Sequence, residues 1–299
     1  MPKRALVLGG GGPVFIAWES GLLAGLAEEG LDLSNADFIL GTSAGSVVGS
    51  KLAIGHSPAA LAAPFFGSTN DQLSSPSKLL GSGPPDLTVL IQKMAQAAMG
   101  IVPPERARVE LGTFALQSET MTEDAFIKSF GHTIADYPDG SWPDRFACTA
   151  VDTADGSFVM WNRESGVSLA CAVGSSCSVP GIFPPVTIRG RRYMDGGMRS
   201  GTNADMAKGC DLVFVVALSL GAAAGPNPMA EAFRRRLDGE LDVLRSAGSQ
   251  VELILPDAAS VEAFGPNMMD YRRRPAAASA GLACGRAIAS ALRGSWQQA

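Results

Sequence analysis

Two hydrophobic periods alternate along the chain. Arg4 to Leu8 is a short apolar run of strand length, and from about Phe15 to Glu29 the residues Leu22, Leu23 and Leu26 recur at helical spacing. Four consecutive glycines, Gly9 to Gly12, lie between them. DFIL, Asp37 to Leu40, predicts a second strand, ended by GTSAGS and continued by an apolar helix from Ala44 to about Ile54. The strand, loop, helix unit is therefore used twice. Further strands are predicted at 146–151, 157–161, 186–188, 212–218 and 252–255, and helices at about 122–130, 166–174, 228–247 and 275–292. This alternation predicts an α/β fold in three α/β/α layers, with a central, mostly parallel sheet covered on both faces.

Residues 67–85 are rich in Ser, Gly and Pro and predict a loop. Asp86 to Val102 reads as a largely apolar, Met-bearing helix between prolines. Together, residues 67–103 are a candidate mobile loop and lid helix, with an ordinary core-covering helix as the alternative. No repeat or long linker divides the chain, so residues 1–294 are expected to form one domain and 295–299 a short tail.

With 299 residues the chain can bury a substantial core, and a net charge of −5 argues against a nucleic-acid binder, whose phosphate contacts call for a concentrated basic surface. Cys148, Cys171, Cys177, Cys210 and Cys284 are odd in number and form no CxxC pair, so they suggest neither a disulfide framework nor a zinc site. Buried thiols in a reducing, cytoplasmic compartment are expected. The basic N-terminus runs into glycines too soon for a signal peptide. No stretch reaches the roughly 18 apolar residues of a spanning helix, so any membrane contact is expected to be peripheral.

The glycine loop fits neither nucleotide motif. Counting from Gly9 or Gly10, the sixth position of a dinucleotide fingerprint is Val14 or Phe15, and GSVVGSK has Ser50 where a phosphate-binding loop has glycine. Two readings remain: a tight turn, or backbone N–H groups at a helix start that receive a transient oxyanion. Gly41-Thr42-Ser43-Ala44-Gly45 matches GxSxG, a weak pattern alone but here set between an apolar strand and an apolar helix, where the motif presents its serine as a nucleophile. The chain has two histidines. His56 sits about 18 Å along the helix from Ser43 at 1.5 Å per residue, and His132 follows a helix end as a cap or a solvent-facing residue. No histidine follows in the last 167 residues, so the order expected of a Ser-His-Asp triad is missing. Asp195, before two glycines in RRYMDGGMRS, is either a carboxylate brought to another loop or part of a DG hairpin turn.

In order, LGGGGPV, GTSAGS, SSCSVPGIFPPV (Ser175 to Val186) and DGGM resemble the patatin-like phospholipases, lipid acyl hydrolases that use a Ser-Asp dyad. The resemblance runs from about Leu6 to Leu220. It implies Ser43 as nucleophile, Asp195 as its base, and the N–H groups around Gly10, Gly11 and Gly12 as the oxyanion hole, with no cofactor and no metal. It further implies a lipid or acyl-ester substrate, cleaved through an acyl-enzyme. The chain departs from the family in one respect: Pro13-Val14-Phe15 stands where many members carry a basic residue. The alternatives are an esterase or thioesterase acting on small soluble acyl donors, and a lipid-binding protein without turnover.

Overall fold

In the computed structural model, which describes residues 3–66, 85–131, 134, 137–138, 141–218 and 228–298, the first apolar run is a strand buried on both faces. Leu6 and Leu8 of β1 (Arg4–Leu8) face one hydrophobic cluster, and Ala5 and Val7 face another. A strand apolar on both sides belongs in the middle of a covered sheet. β1 accordingly lies between β2 (Phe38–Gly41) and β7 (Leu212–Val216), parallel to both. The sheet continues through β3 (Phe146–Asp152), parallel to β2, and β8 (Gln250–Ile254), parallel to β7. β4 (Phe158–Asn162) and β6 (Arg191–Asp195) run antiparallel to β3, and β5 (Val186–Ile188) pairs with β6 through the turn at Arg189 and Gly190, both at positive φ. The order is β5-β6-β3-β2-β1-β7-β8, with β4 attached to β3.

On the Leu6 face pack α1 (Gly12–Glu28), α2 (Ala44–Ala53) and the long α10 (Arg274–Gln298). The opposite face is covered by the 3-10 turn Ala204–Ala207 and by α8 (Pro228–Ser246), through Leu241 and Leu244. The predicted three layers are thus present. α1 and α10 approach closely through small residues on both helices: a Cβ on Gly21 would lie 2.1 Å from the Ala278 carbonyl oxygen, and one on Gly281 2.2 Å from that of Trp18.

Several boundaries differ from expectation. α1 starts at Gly12, directly off the glycines, because Pro13 has the φ of a first helical turn and its missing N–H is no loss there. Three helices had no clear periodic signal: α3 (Pro58–Phe66), α5 (Pro104–Gln117) and α9 (Ala258–Phe264). The helix expected at 86–102 is α4 (Thr88–Ala98), and those near 122–130 and 166–174 are α6 (Glu123–Lys128) and α7 (Leu169–Ser176). α10 runs through the expected tail, where Trp296 packs edge-on against Phe214. Of the candidate loop and lid, residues 67–84 lie outside the described residues.

Candidate active site

β2 ends at Gly41, and the chain turns sharply into α2 through Ser43, whose φ of 52° and ψ of −115° lie outside the common regions for a side-chain-bearing residue. Small neighbours make room for this turn. A Cβ on Gly45 would lie 2.0 Å from the Leu8 carbonyl oxygen, so the start of α2 is pressed onto the end of β1. The Ser43 N–H donates to Ser176 Oγ at 3.0 Å, and its carbonyl oxygen accepts from Ser46 Oγ at 2.7 Å and Cys177 Sγ at 3.3 Å.

Asp195 reaches the same place by sheet register. On β3, Cys148 pairs with Gly41 and Ala150 pairs with Asp195. Two residues of one strand, about 6.6 Å apart at 3.3 Å per residue, therefore separate the take-off point of the serine loop from the aspartate. Asp195 is the last residue of β6 and caps the 3-10 turn Gly196–Met198, accepting from the Gly197 N–H through Oδ1 at 2.7 Å. It does not sit in a hairpin turn. Its Oδ2 is buried without a hydrogen bond of standard geometry among the described residues. The polar group facing the carboxyl is the Ser43 hydroxyl. Burial pushes the Asp195 pKa up from its ordinary value to about 7, opposed by that hydroxyl and by the Gly197 N–H.

The glycine loop passes over this pair. A Cβ on Gly10 would lie 3.2 Å from the Ser43 Cβ. Gly12, at φ +67°, would bring a Cβ to 2.9 Å from both the Met268 carbonyl oxygen and Met269 Sδ. One expectation needs correction: the Gly10 N–H already donates to the Gly201 carbonyl oxygen at 2.7 Å and is not available to a ligand. Among the described residues, the N–H groups of Gly11, Gly12 and Ala44 have no acceptor. Ala44 is the first residue of α2, where intrahelical acceptors are absent by geometry.

A buried polar cluster ties the two loops together. Asn203, at φ 51° and fully buried, donates from Nδ2 to Thr42 Oγ1 at 3.1 Å, to Thr149 Oγ1 at 3.3 Å and to the Ser200 carbonyl oxygen at 2.8 Å. Thr42 and Thr149 share a 2.8 Å hydroxyl contact. The cluster joins the residue before Ser43 to the segment after Asp195.

Two cavities, of about 250 and 650 Å³, open onto Ser43 and share Gly12, Val179 and Met269. Asp195 lines the larger, with Leu90 and Met94 of α4. His56 follows the end of α2 and lines neither, and His132 lies outside the described residues. Arg234 pairs with Asp238, Arg235 with Glu231 and Arg236 with Glu240, whereas Arg274 packs over the rings of Phe65 and Tyr271. Trp18 and Trp161 are packed inside, each hydrogen-bonded to a serine. Among the described residues, no cluster of three His, Cys, Asp or Glu could hold a metal, and no helix is long and apolar enough to cross a membrane.

A family model described as patatin-like phospholipase matches residues 6–208. No curated protein is similar enough to the chain to count as a match. Among solved structures, VipD from Legionella pneumophila aligns at 14% identity and a TM-score of 0.47, over 97% of this chain and 67% of its own. The type III effector protein ExoU aligns at 16% identity and a TM-score of 0.45, over 97% of this chain and 53% of its own. In the complex with SpcU from the type III secretion system of Pseudomonas aeruginosa, ExoU aligns at 18% identity and a TM-score of 0.38, over 96% and 52%. The chain thus spans about half the length of ExoU.

Proposed function

The chain belongs to the patatin-like phospholipase family, and from that premise we propose that it is a lipid acyl hydrolase working through Ser43 and Asp195. The observation that carries the proposal is the sheet register that brings a buried Asp195, whose Oδ2 has no hydrogen bond among the described residues, beside the hydroxyl of a serine held on a strained turn.

Asp195 Oδ2 takes the proton as Ser43 Oγ bonds to the ester carbonyl carbon, and the carbonyl oxygen becomes an oxyanion. The Gly11 and Gly12 N–H groups receive that charge, assisted by the N-terminus of α2. The tetrahedral intermediate collapses, and the departing alcohol takes the proton back from Asp195. Water, deprotonated by Asp195, then attacks the acyl-serine, and the second intermediate collapses as the bond from the acyl carbon to Ser43 Oγ breaks, Ser43 takes the proton back from Asp195 and the fatty acid is released. With a pKa raised to about 7, Asp195 is a far better proton acceptor than an ordinary carboxylate and is still largely ionised above neutrality. The larger cavity, walled by Leu90 and Met94, suits an acyl chain. Val89 and Ile91 on α4 and Ile101 beyond it are exposed, which supports peripheral contact with a lipid surface.

The test is covalent labelling by a fluorophosphonate, read by intact mass with vesicles present, on the wild type and on Ser43→Ala. One adduct, lost in the variant, is expected. A series of ester chain lengths then separates a lipid hydrolase from an esterase of small acyl donors. No adduct on the wild type would overturn the reading and leave a lipid-binding protein without turnover.

A further inference from the structure

The C-terminal end of α7 touches both Ser43 and Asp195. A backbone conformation such as that of Ser43 persists only where its surroundings over-determine it. Its N–H lies at the N-cap of α2, where the helix itself offers no acceptor, and donates to Ser176 Oγ at 3.0 Å. Its carbonyl oxygen accepts from Cys177 Sγ at 3.3 Å as well as from Ser46 Oγ. Asp195 is held from the same turn, since its N–H donates to the Ser178 carbonyl oxygen at 3.0 Å. Three consecutive residues, Ser176 to Ser178, thus grip the backbone of the serine on one side and of the aspartate on the other.

Ser176 stands apart from the serines beside it. Ser175 Oγ donates to the Ala172 carbonyl oxygen at 2.8 Å and accepts from Trp161 Nε1 at 3.0 Å, and Ser178 Oγ donates to the Gly174 carbonyl oxygen at 2.9 Å. Bonds to a carbonyl one turn back are what serine hydroxyls ordinarily make on a helix. Ser176 Oγ makes none among the described residues and is turned to the Ser43 N–H instead. It is fully buried and lines neither cavity, so it acts on a substrate only through Ser43. Without it, that N–H would be buried and unpaired.

We infer that Ser176 is a positioning residue for hydrolysis: by fixing the peptide in front of Ser43, on the turn that also holds Asp195 through Ser178, it sets the nucleophile's hydroxyl against the carboxyl. The inference rests on the reading of Ser43 and Asp195 as nucleophile and base. Its signature is electrostatic. The Ser43 hydroxyl opposes the rise that burial causes in the Asp195 pKa, so a displaced hydroxyl lets that pKa climb further. The other groups that act on the carboxyl are the Gly197 N–H and the Cys177 thiol, which burial keeps protonated, and neither titrates near neutrality.

The experiment compares hydrolysis of p-nitrophenyl butyrate by the wild type, Ser176→Ala, Ser176→Thr and Ser175→Ala across pH. Ser176→Ala is expected to lose about tenfold or more in kcat on the alkaline plateau, with KM little changed. Its kcat/KM midpoint is expected to move upward from about 7. Ser176→Thr keeps the acceptor oxygen and is expected to restore both. Ser175→Ala removes the acceptor of Trp161 Nε1 and is expected to lower Tm while the midpoint stays near 7. Wild-type plateau and midpoint in Ser176→Ala would overturn the inference. A fall in kcat with the midpoint unmoved, or a midpoint that Ser175→Ala shifts equally, would mean that α7 serves the fold alone and would overturn it too, as would a Ser176→Thr enzyme that behaves like Ser176→Ala. If Ser176→Ala does not fold, Ser176→Cys, close in shape but with a weak sulfur acceptor, is expected to move plateau and midpoint in the same directions, and wild-type values there overturn the inference. Turnover absent from the wild type sinks the hydrolase reading and the positioning role with it. Wild-type turnover that is lost in Ser43→Ala but unaffected in Ser176→Ala sinks the positioning role alone.

Discussion

Asn203 donates its side-chain amide to Thr42 Oγ1 at 3.1 Å from a fully buried, left-handed backbone position. Asparagine tolerates that conformation better than most residues, and its amide also reaches Thr149 Oγ1 and the Ser200 carbonyl oxygen. Asn203→Asp keeps the shape and the backbone tolerance but removes both donors and adds a buried acceptor. The expected result is a loss of about 1–3 kcal/mol in stability, together with a fall in kcat on soluble esters of about tenfold or more, since small misplacements of reacting groups slow chemistry steeply. Denaturant unfolding and kcat measured on the same samples check it. Lost stability with unchanged kcat would show that the cluster supports the fold without setting the geometry of Ser43.

Asp195 predicts the pH profile. Its folded pKa of about 7 is raised above the ordinary value near 3.9, and as a base it must be ionised. kcat/KM should therefore fall about tenfold per pH unit below about 7 and level off above it. The same shift acts on stability. A carboxyl with a raised folded pKa is most favourable to the fold below about pH 4, becomes less so as pH rises, and levels off once the folded pKa is passed. Asp195→Asn should abolish turnover and raise Tm relative to wild type at pH 8, with the difference shrinking toward pH 4. A rate midpoint near pH 4 would remove the case for burial as the source of basicity.

Much of this site was legible in the sequence, for a local reason. GTSAGS announces a sharp turn because the turn itself demands small residues, and the strand and helix on either side carry their own periodicity. The glycine loop was legible as exposed backbone, but not which N–H groups remain free, because the acceptor that takes the Gly10 N–H is Gly201, far along the chain. Asn203 gave no signal: one asparagine in a loop is common, and its role comes from the sheet bringing Thr42 beside Thr149. α3 and α5 were missed because their apolar residues follow no clean helical stripe.

Gly12→Ala tests the loop. The new Cβ would lie 2.9 Å from the Met268 carbonyl oxygen at a φ of +67°, so the backbone must shift and carry the Gly12 N–H with it. Loss of one oxyanion donor lowers kcat by about 10²–10³-fold. Gly55→Ala is the control: its φ is also positive, at +104°, but nothing lies within 4 Å of the added carbon and it lines neither cavity. It should lose stability without a comparable loss of kcat. Equal losses of kcat in both variants would mean that strain in general, and not a displaced donor, is responsible.

Glu19 offers a test of buried charge away from the reaction. It sits inside α1, fully buried, with neither carboxyl oxygen hydrogen-bonded among the described residues. Burial raises its pKa well above the ordinary value, opposed in part by the Gly9 backbone amide. It is thus protonated in the fold under conditions where the unfolded chain is ionised, and this draws stability down as pH rises from about 4.3, the unfolded value. Glu19→Gln is nearly the same shape and cannot ionise. Its Tm relative to wild type should therefore rise between pH 4 and pH 8, while the midpoint of the rate profile stays near 7, where Asp195 sets it. Thermal melts at both pH values check the first part, and a kcat/KM titration checks the second. A Tm difference that does not change with pH would mean that Glu19 is ionised in the fold and has found a partner.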